Sequence, residues 1–304
     1  MMHPEALISY REGTGHTVIN AHVSPTAACN LSCPYCAYQG RDKTLSLSYD
    51  VLTKYTDDLL SRGLKAIVLT GGGEPLLYPK INEYIEYCSG KGLKIGLITN
   101  GFMHDRLTAD SWSKLTWVRV SVNMVDGWLS GIRIPKIDGV VGMSVVYQKH
   151  TTEDFSKLLI LADEINAEYV RVFPDYNIDE WERNVQYREI RSCMDSLVDP
   201  RLTILNNHQR APSCRTCHLS YFRPYLAEDG RVYQCCVSIL SNDAHKLTAE
   251  HALCWAGNVL DFIDHKIPVR IVPERDCSYC TYADQVESLD AWSKPVGNDH
   301  DLFV

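Results

Sequence analysis

Three cysteines stand in the string CNLSCPYC, where Cys29, Cys33 and Cys36 are separated by three and then two residues. A structural zinc site asks for four ligands in paired short spacings, and a disulfide framework would leave one of the three thiols unpaired. Ligation of an iron–sulfur cluster suits the number better. Three thiolates can hold three irons of a [4Fe-4S] cube and leave the fourth open, as a cluster requires if it is to bind a molecule rather than only pass electrons. Downstream, the apolar run KAIVLT leads into GGGEP at residues 71 to 75. Gly72 and Gly73 let the backbone approach a ligand closely, the Glu74 carboxylate is a natural partner for an ammonium group, and Pro75 ends the strand sharply.

A second group lies far along the chain: Cys214, Cys217, Cys235, Cys236, Cys277 and Cys280. The string CRTCH at 214 to 218 matches the attachment pattern of c-type haem, but that chemistry takes place outside the cytoplasm, and the N-terminal segment MMHPEALISYREG has no export signal. The pairs at 214/217 and 277/280 could hold a structural zinc, and an iron–sulfur cluster is the competing reading. Cys88, Cys193 and Cys254 read as small buried apolar residues, with hydrogen-atom return to a substrate radical as the functional alternative.

CNLSCPYC resembles the CxxxCxxC signature of the radical S-adenosylmethionine (SAM) superfamily, with Tyr35 at its usual aromatic position, and GGGEP resembles that family's SAM-binding motif. The resemblance implies a [4Fe-4S] cluster on Cys29, Cys33 and Cys36 whose open iron takes SAM. Reductive cleavage then gives a 5′-deoxyadenosyl radical that abstracts hydrogen from a substrate. It further implies SAM contacts at Tyr35, Gly72, Gly73 and Glu74. In SVNMVDG it implies ribose contacts from Ser121 and Asn123, with Arg133 a candidate for the SAM carboxylate. The later cysteines are similar to the twitch version of the SPASM extension, which implies an auxiliary [4Fe-4S] cluster on Cys217, Cys235, Cys277 and Cys280. Cys214 or Cys236 could stand in for a neighbour. A four-cysteine cluster has no open iron, so its task would be electron transfer or support of the fold.

That layout resembles the aminocyclitol dehydrogenases more than the molybdopterin cyclase. The expectation is therefore oxidation of a small-molecule polar substrate, with a one-electron donor such as flavodoxin or ferredoxin. Modification of a ribosomally made peptide is a second possibility, although such maturases often carry an N-terminal peptide-binding domain and only 28 residues precede Cys29. Rearrangement of a nucleotide or modified base is a third, and would gain from convergence of Arg210, Arg215 and Arg223 beside the SAM site. A non-catalytic iron or zinc protein is the fourth. No residue emerges as a catalytic acid or base. His150 is tempting at the mouth of the fold, but reads more simply as a capping or solvent-exposed side chain.

These residues must be positioned by something. Six apolar runs recur between residues 17 and 174 (TVINAHV, KAIVLT, KIGLIT, WVRVSV, VVGMSVV, YVRVFP), separated by amphipathic stretches such as YDVLTKYTDDLLSRG. Repeated βα units around a parallel sheet produce that pattern. The fold class expected is α/β: a partial (β/α)6 TIM-like barrel over 1–200, then a small Cys-rich β-hairpin plus helix extension and a tail over 201–304. Right-handed crossovers would gather the C-terminal strand ends, and hence the active site, on one face. In FRPYLAEDGRVYQCCVS, Asp229 and Gly230 suit a hairpin turn. The chain has 304 residues, with 30 Lys and Arg against 38 Asp and Glu for a net charge of −8. That balance argues against long duplex nucleic acid as a partner. No apolar stretch approaches the roughly 18 to 20 residues a bilayer demands, and a cytoplasmic protein is expected, in which twelve cysteines point to metal or redox chemistry.

Overall fold

The computed structural model describes residues 3–122, 129–175, 177–205, 212–236, 252–267, 272–277, 280 and 282–293. The six apolar runs form parallel strands β1 (Asn20–Val23), β2 (Ala66–Leu69), β3 (Lys94–Thr99), β4 (Leu115–Val122), β5 (Val140–Val146) and β6 (Tyr169–Phe173). Between and around them run α1 (Pro4–Glu12), α2 (Tyr49–Leu60), α3 (Ile81–Gly90), α4 (Ala109–Ser113), α5 (Thr152–Glu164) and α6 (Glu180–Asp195). A seventh parallel strand, β7 (Leu202–Ile204), pairs with β6, so the sheet continues across residue 200. Three residues in RLTILNN are too short a run for periodicity to reveal.

The helices form where local chemistry allows them to start. The Ser48 hydroxyl caps α2 by accepting from the Val51 amide, and Thr151 and Asp154 make a reciprocal capping box on α5. In α2 the buried residues Leu52, Tyr55, Thr56 and Leu59 repeat at helical spacing and turn one stripe onto the sheet. On the strands the period is two. Val118, Val120 and Val122 of β4 are buried beneath the helices, while Trp117, Arg119 and Ser121 take the other, concave face.

The later part of the chain adds α7 (Leu219–Phe222), β8 (Tyr225–Leu226), β9 (Arg231–Tyr233), β10 (Cys254–Trp255), α8 (Val259–Ile263), α9 (Pro273–Asp276) and α10 (Ala283–Ser293). The anticipated hairpin is β8–β9, with Gly230 at a φ of 82° in its turn. β8 also pairs in parallel with β1 on the side opposite β2, giving one sheet of order β10-β9-β8-β1-β2-β3-β4-β5-β6-β7. Among the described residues β7 does not pair with β8, so the barrel is open. No described helix is long and apolar enough to cross a membrane.

The register of β4 on β5 places Ser121 opposite Ser144, and that pairing begins where Gly139 meets the β4 backbone. A Cβ at Gly139 would lie 2.3 Å from the Thr116 carbonyl oxygen. Gly139→Ala must therefore push β5 off β4, at a cost of about 1–3 kcal/mol. Urea unfolding of the two proteins measures it, and equal midpoints would show that the strands are not held this closely.

Candidate functional site

The C-terminal ends of the strands surround a cavity of about 400 Å³. Cys29, Cys33 and Cys36 line it from the loop after β1, Gly71 to Glu74 from the end of β2, and Ser121, Ser144, Val146 and Phe173 from β4, β5 and β6. Tyr35 lines it too, its phenol shifted upward by burial and by the Cys33 thiol beside it. The two sequence motifs, separated by a whole helix, thus share one cavity.

The loops meet at van der Waals limits. The Glu74 amide donates to the Ala28 carbonyl at 2.8 Å, and a Cβ at Gly73 would lie 2.1 Å from that same oxygen, so glycine is required there. The Gly72 amide donates to the Ser24 hydroxyl at 2.9 Å. Glu74 is 2 % exposed and turned inward. It accepts from the Thr99 hydroxyl and the Asn100 amide, each at 2.7 Å, and from the Leu76 amide at 3.1 Å. Burial raises its acid above the ordinary range while these three donors pull the other way. The carboxylate expected to meet an ammonium group therefore already braces the ends of β2 and β3.

Several contributors carry no sequence signature. Arg41 donates to the carbonyls of Ala27 at 2.9 Å and Tyr38 at 2.6 Å and reaches the Cys36 sulfur at 3.5 Å, clamping the cysteine loop from behind. The Asn100 side chain donates to the Asn30 side-chain oxygen at 2.8 Å, inside the cysteine string. Glu228, 7 % exposed in the β8–β9 turn, presses on the SAM-motif loop, since a Cβ at Gly72 would lie 2.5 Å from its Oε1. Its Oε2 has no partner among the described residues, and burial raises its acid.

Of the other residues singled out in the sequence, Asn123 and Arg210 lie outside the described residues. Arg133 does not line the cavity, and its guanidinium folds back onto the Ile132 carbonyl. His150 is buried rather than solvent-exposed, set edge-on to Tyr147 and Phe155 and away from the cavity. Arg215 is an exposed partner of Glu274, so it does not converge with Arg223. Cys88 is buried in the main core, as expected of a small apolar residue, and Cys193 and Cys254 pack against that core.

The second thiol group gathers beside α7 and α10. Cys277 interacts electrostatically with Cys235, Cys217 and Cys280, and Cys217 with Cys235 and Cys280. Burial first, then these neighbours, pushes Cys217 up to about 12 and Cys280 up to about 11. Buried thiols that oppose one another's ionisation are what a cationic cluster core can recruit, since coordination deprotonates a thiol outright. Cys214 packs with Cys217 and Cys280 and also lies near Asp290, Glu287 and Glu274, and Cys236 lies near Cys235, Arg223 and Tyr282. Cys235 and Cys236 follow β9 rather than lie on it. The groups are joined where the Tyr38 hydroxyl donates to the Cys236 carbonyl at 2.9 Å.

Among the described residues no three His, Cys, Asp or Glu side chains meet closely enough to bind one metal ion. A [4Fe-4S] cube takes each thiolate on a different iron, so its ligands stand further apart than those around one zinc ion. The donor set of the first site suits such a cube: three thiols on a cavity wall, with the Leu31 amide and the Arg41 guanidinium directed at the sulfurs of Cys29 and Cys36.

Two expectations follow from this geometry. Arg41→Lys removes the planar fork that spans two carbonyls and a sulfur, and should weaken retention of iron against a chelator by roughly 10–100-fold, as loss of an outer-shell partner does. Unchanged iron release kinetics would overturn that role. For Glu228, the unfolded chain loses its proton first as pH rises through the ordinary glutamate value and on past the raised one, so the folded state is progressively disfavoured across that window. Glu228→Gln should flatten this decline, raising the stability of the variant relative to the parent at neutral pH but not at acid pH. Parallel stability curves in the two proteins would refute it.

Residues 23–127 match the radical SAM superfamily. The AdoMet-dependent heme synthase of Methanosarcina barkeri is 30% identical over 49% of this chain and 48% of its own length. A probable GTP 3′,8-cyclase of Methanococcus maripaludis is 34% identical over 30% of this chain and 32% of its own. The chain thus spans less than half the length of these curated relatives. Among solved structures, anSMEcpe with bound AdoMet and the Kp18Cys peptide superposes with a TM-score of 0.56 at 13% identity, over 90% of this chain and 96% of that one. SuiB of Streptococcus suis bound to the precursor peptide SuiA gives 0.55 at 13% identity, over 77% and 63%. With the three-cysteine loop and the glycine turn on one cavity at the mouth of an open parallel barrel, residues 23–127 carry a radical SAM domain, whose family uses a [4Fe-4S] cluster and S-adenosylmethionine.

Proposed function

We propose that this protein is a radical SAM oxidoreductase that dehydrogenates a small polar substrate, with a second cluster in its C-terminal part as electron acceptor. The carrying observation is the presence of two separate thiol groups, Cys29, Cys33 and Cys36 on the cavity wall and Cys217, Cys235, Cys277 and Cys280 packed together under α7 and α10, linked through Tyr38 and Cys236. Cys29, Cys33 and Cys36 would hold the cluster that supplies the electron for reductive cleavage of SAM, and Cys217, Cys235, Cys277 and Cys280 would hold an acceptor for the electron the substrate gives up on losing a hydrogen atom and a proton. A donor of the flavodoxin or ferredoxin type provides the first electron.

The chain's own residues position and exclude. Gly71 and Gly73 bring backbone polar groups to the cavity edge without side chains in the way, and Ser121 offers a hydroxyl to the ribose. Tyr35, Val146 and Phe173 close apolar walls that keep water from a reactive radical. Glu74 keeps both glycine turn and β3 end rigid, so the cofactor meets a preformed surface. Radical conversion of a nucleotide is the second reading, supported by the similarity to GTP 3′,8-cyclases over the SAM-binding part.

Iron and sulfide are to be measured after anaerobic reconstitution in the parent and in a Cys29→Ala, Cys33→Ala, Cys36→Ala variant. The expected result is about eight irons per chain falling to about four, with 5′-deoxyadenosine formation under dithionite abolished in the variant. About four irons in the parent, falling to none, would leave SAM cleavage standing and remove the second cluster and the dehydrogenation with it.

A further inference from the structure

The β8–β9 hairpin touches the loops of the cavity at both of its ends. Near the turn, Ser24 is fully buried just after β1, and its amide donates to the Leu226 carbonyl of β8 at 2.8 Å while its hydroxyl takes the Gly72 amide. Glu228 bonds the same Ser24 side chain. Its Oε1 and the Arg41 Cδ close on a single point, lying 2.5 and 3.3 Å from where a Cβ on Gly72 would stand. At the far end of the hairpin, the Tyr38 hydroxyl reaches out of the cysteine loop to the Cys236 carbonyl. Tyr225 of β8, 1 % exposed, stands beside both Glu228 and Tyr38. Gly72 and Tyr38 both line the cavity, so each end of the hairpin backs a part of its wall.

The hairpin has little to hold it in place by itself. β8 is fastened to β1, but β9 lies outboard, between β8 and the two-residue strand β10. Only Tyr225 with Tyr233 and Leu226 with Val232 join the two arms. Ribbons of this length are not stable alone, so the position of the turn and of β9 depends on what fixes their ends. β9 leads straight into Cys235. Once that thiol is a cluster ligand, the end of β9 is pinned, and the ordering done there need not be done again when a cofactor settles against Gly72 and Tyr38.

We infer that Glu228 and Tyr38 are positioning residues for SAM, and that through them an occupied second thiol group tightens SAM binding in the cavity. The inference rests on the reading of the two thiol groups as cluster sites, and it adds a dependence of one site on the other that is separate from electron transfer between them. By reciprocity, bound SAM stabilises the occupied second group to the same extent.

Labelled SAM is to be titrated by equilibrium dialysis into the reconstituted protein without reductant, so that binding is read without cleavage. The parent is compared with a Cys277→Ala, Cys280→Ala variant, with iron counted and a thermal melt recorded for each. The parent, at about eight irons, should bind SAM about tenfold more tightly than the variant, at about four. In Glu228→Ala and Tyr38→Phe backgrounds that ratio should fall toward one. A residue that merely supported the fold would weaken both loading states alike and leave the ratio intact. A reciprocal measurement uses the parent alone: saturating SAM should raise the chelator concentration that empties the second group. Equal SAM affinity in the two loading states, a ratio undiminished in both backgrounds, or a chelator threshold that SAM leaves unmoved overturns the proposal. About four irons in the parent would instead sink the two-cluster reading and the proposal with it. A parent that binds no SAM sinks the reading of the cavity.

Discussion

The site depends on how closely two loops approach. Between the Ala28 carbonyl and the Gly73 backbone there is no room for a Cβ, and the Glu74 amide closes the contact with a hydrogen bond. From there a circuit returns to its start. The Glu74 carboxylate accepts from Thr99 and Asn100 at the end of β3, and the Asn100 side chain donates to Asn30 between the first two ligand cysteines. Three strand ends are thereby locked around one cavity by buried bonds that would be costly to leave unmade. A site that must hold a cluster and a cofactor in fixed relation needs this stiffness more than it needs any single contact.

The C-terminal part is fastened to the same place. β8 extends the sheet at β1 through main-chain bonds from Ile19, His22 and Ser24, and Thr17 donates to the Tyr221 carbonyl. Arg62 forms a bidentate pair with Asp264 at 2.8 and 2.9 Å, and the Tyr10 hydroxyl meets His218 at 2.5 Å. The strand that carries the first cysteine loop is thus paired directly with the hairpin that leads to Cys235. Two thiol groups 180 residues apart in the chain are neighbours because one strand serves both, and Glu228 and Tyr38 cross the seam between them.

Charge is distributed by the same economy. On the concave face of the sheet Arg171 stacks on the Tyr169 ring and Arg119 lies over Trp117. Glycines make space for this arrangement: a Cβ at Gly142 would strike the Tyr169 ring and one at Gly96 the Trp117 ring, so each aromatic platform for a guanidinium lies against a strand glycine.

Much of this was local and hence legible in the amino-acid order. Cysteine spacing, the glycine turn, the period-two strands and the Asp-Gly hairpin each depend on residues within a few positions of one another, where backbone geometry alone restricts the outcome. The sequence by itself therefore determined the cluster loop, the cofactor turn and the parallel order of six strands. Only the tertiary structure decided that Glu74 braces strand ends, that Arg41 clamps the cysteine loop, and that Glu228 presses on Gly72. Such contacts join residues many tens of positions apart, and they are fixed by how twisted strands stack and which face each residue presents, which no local period records.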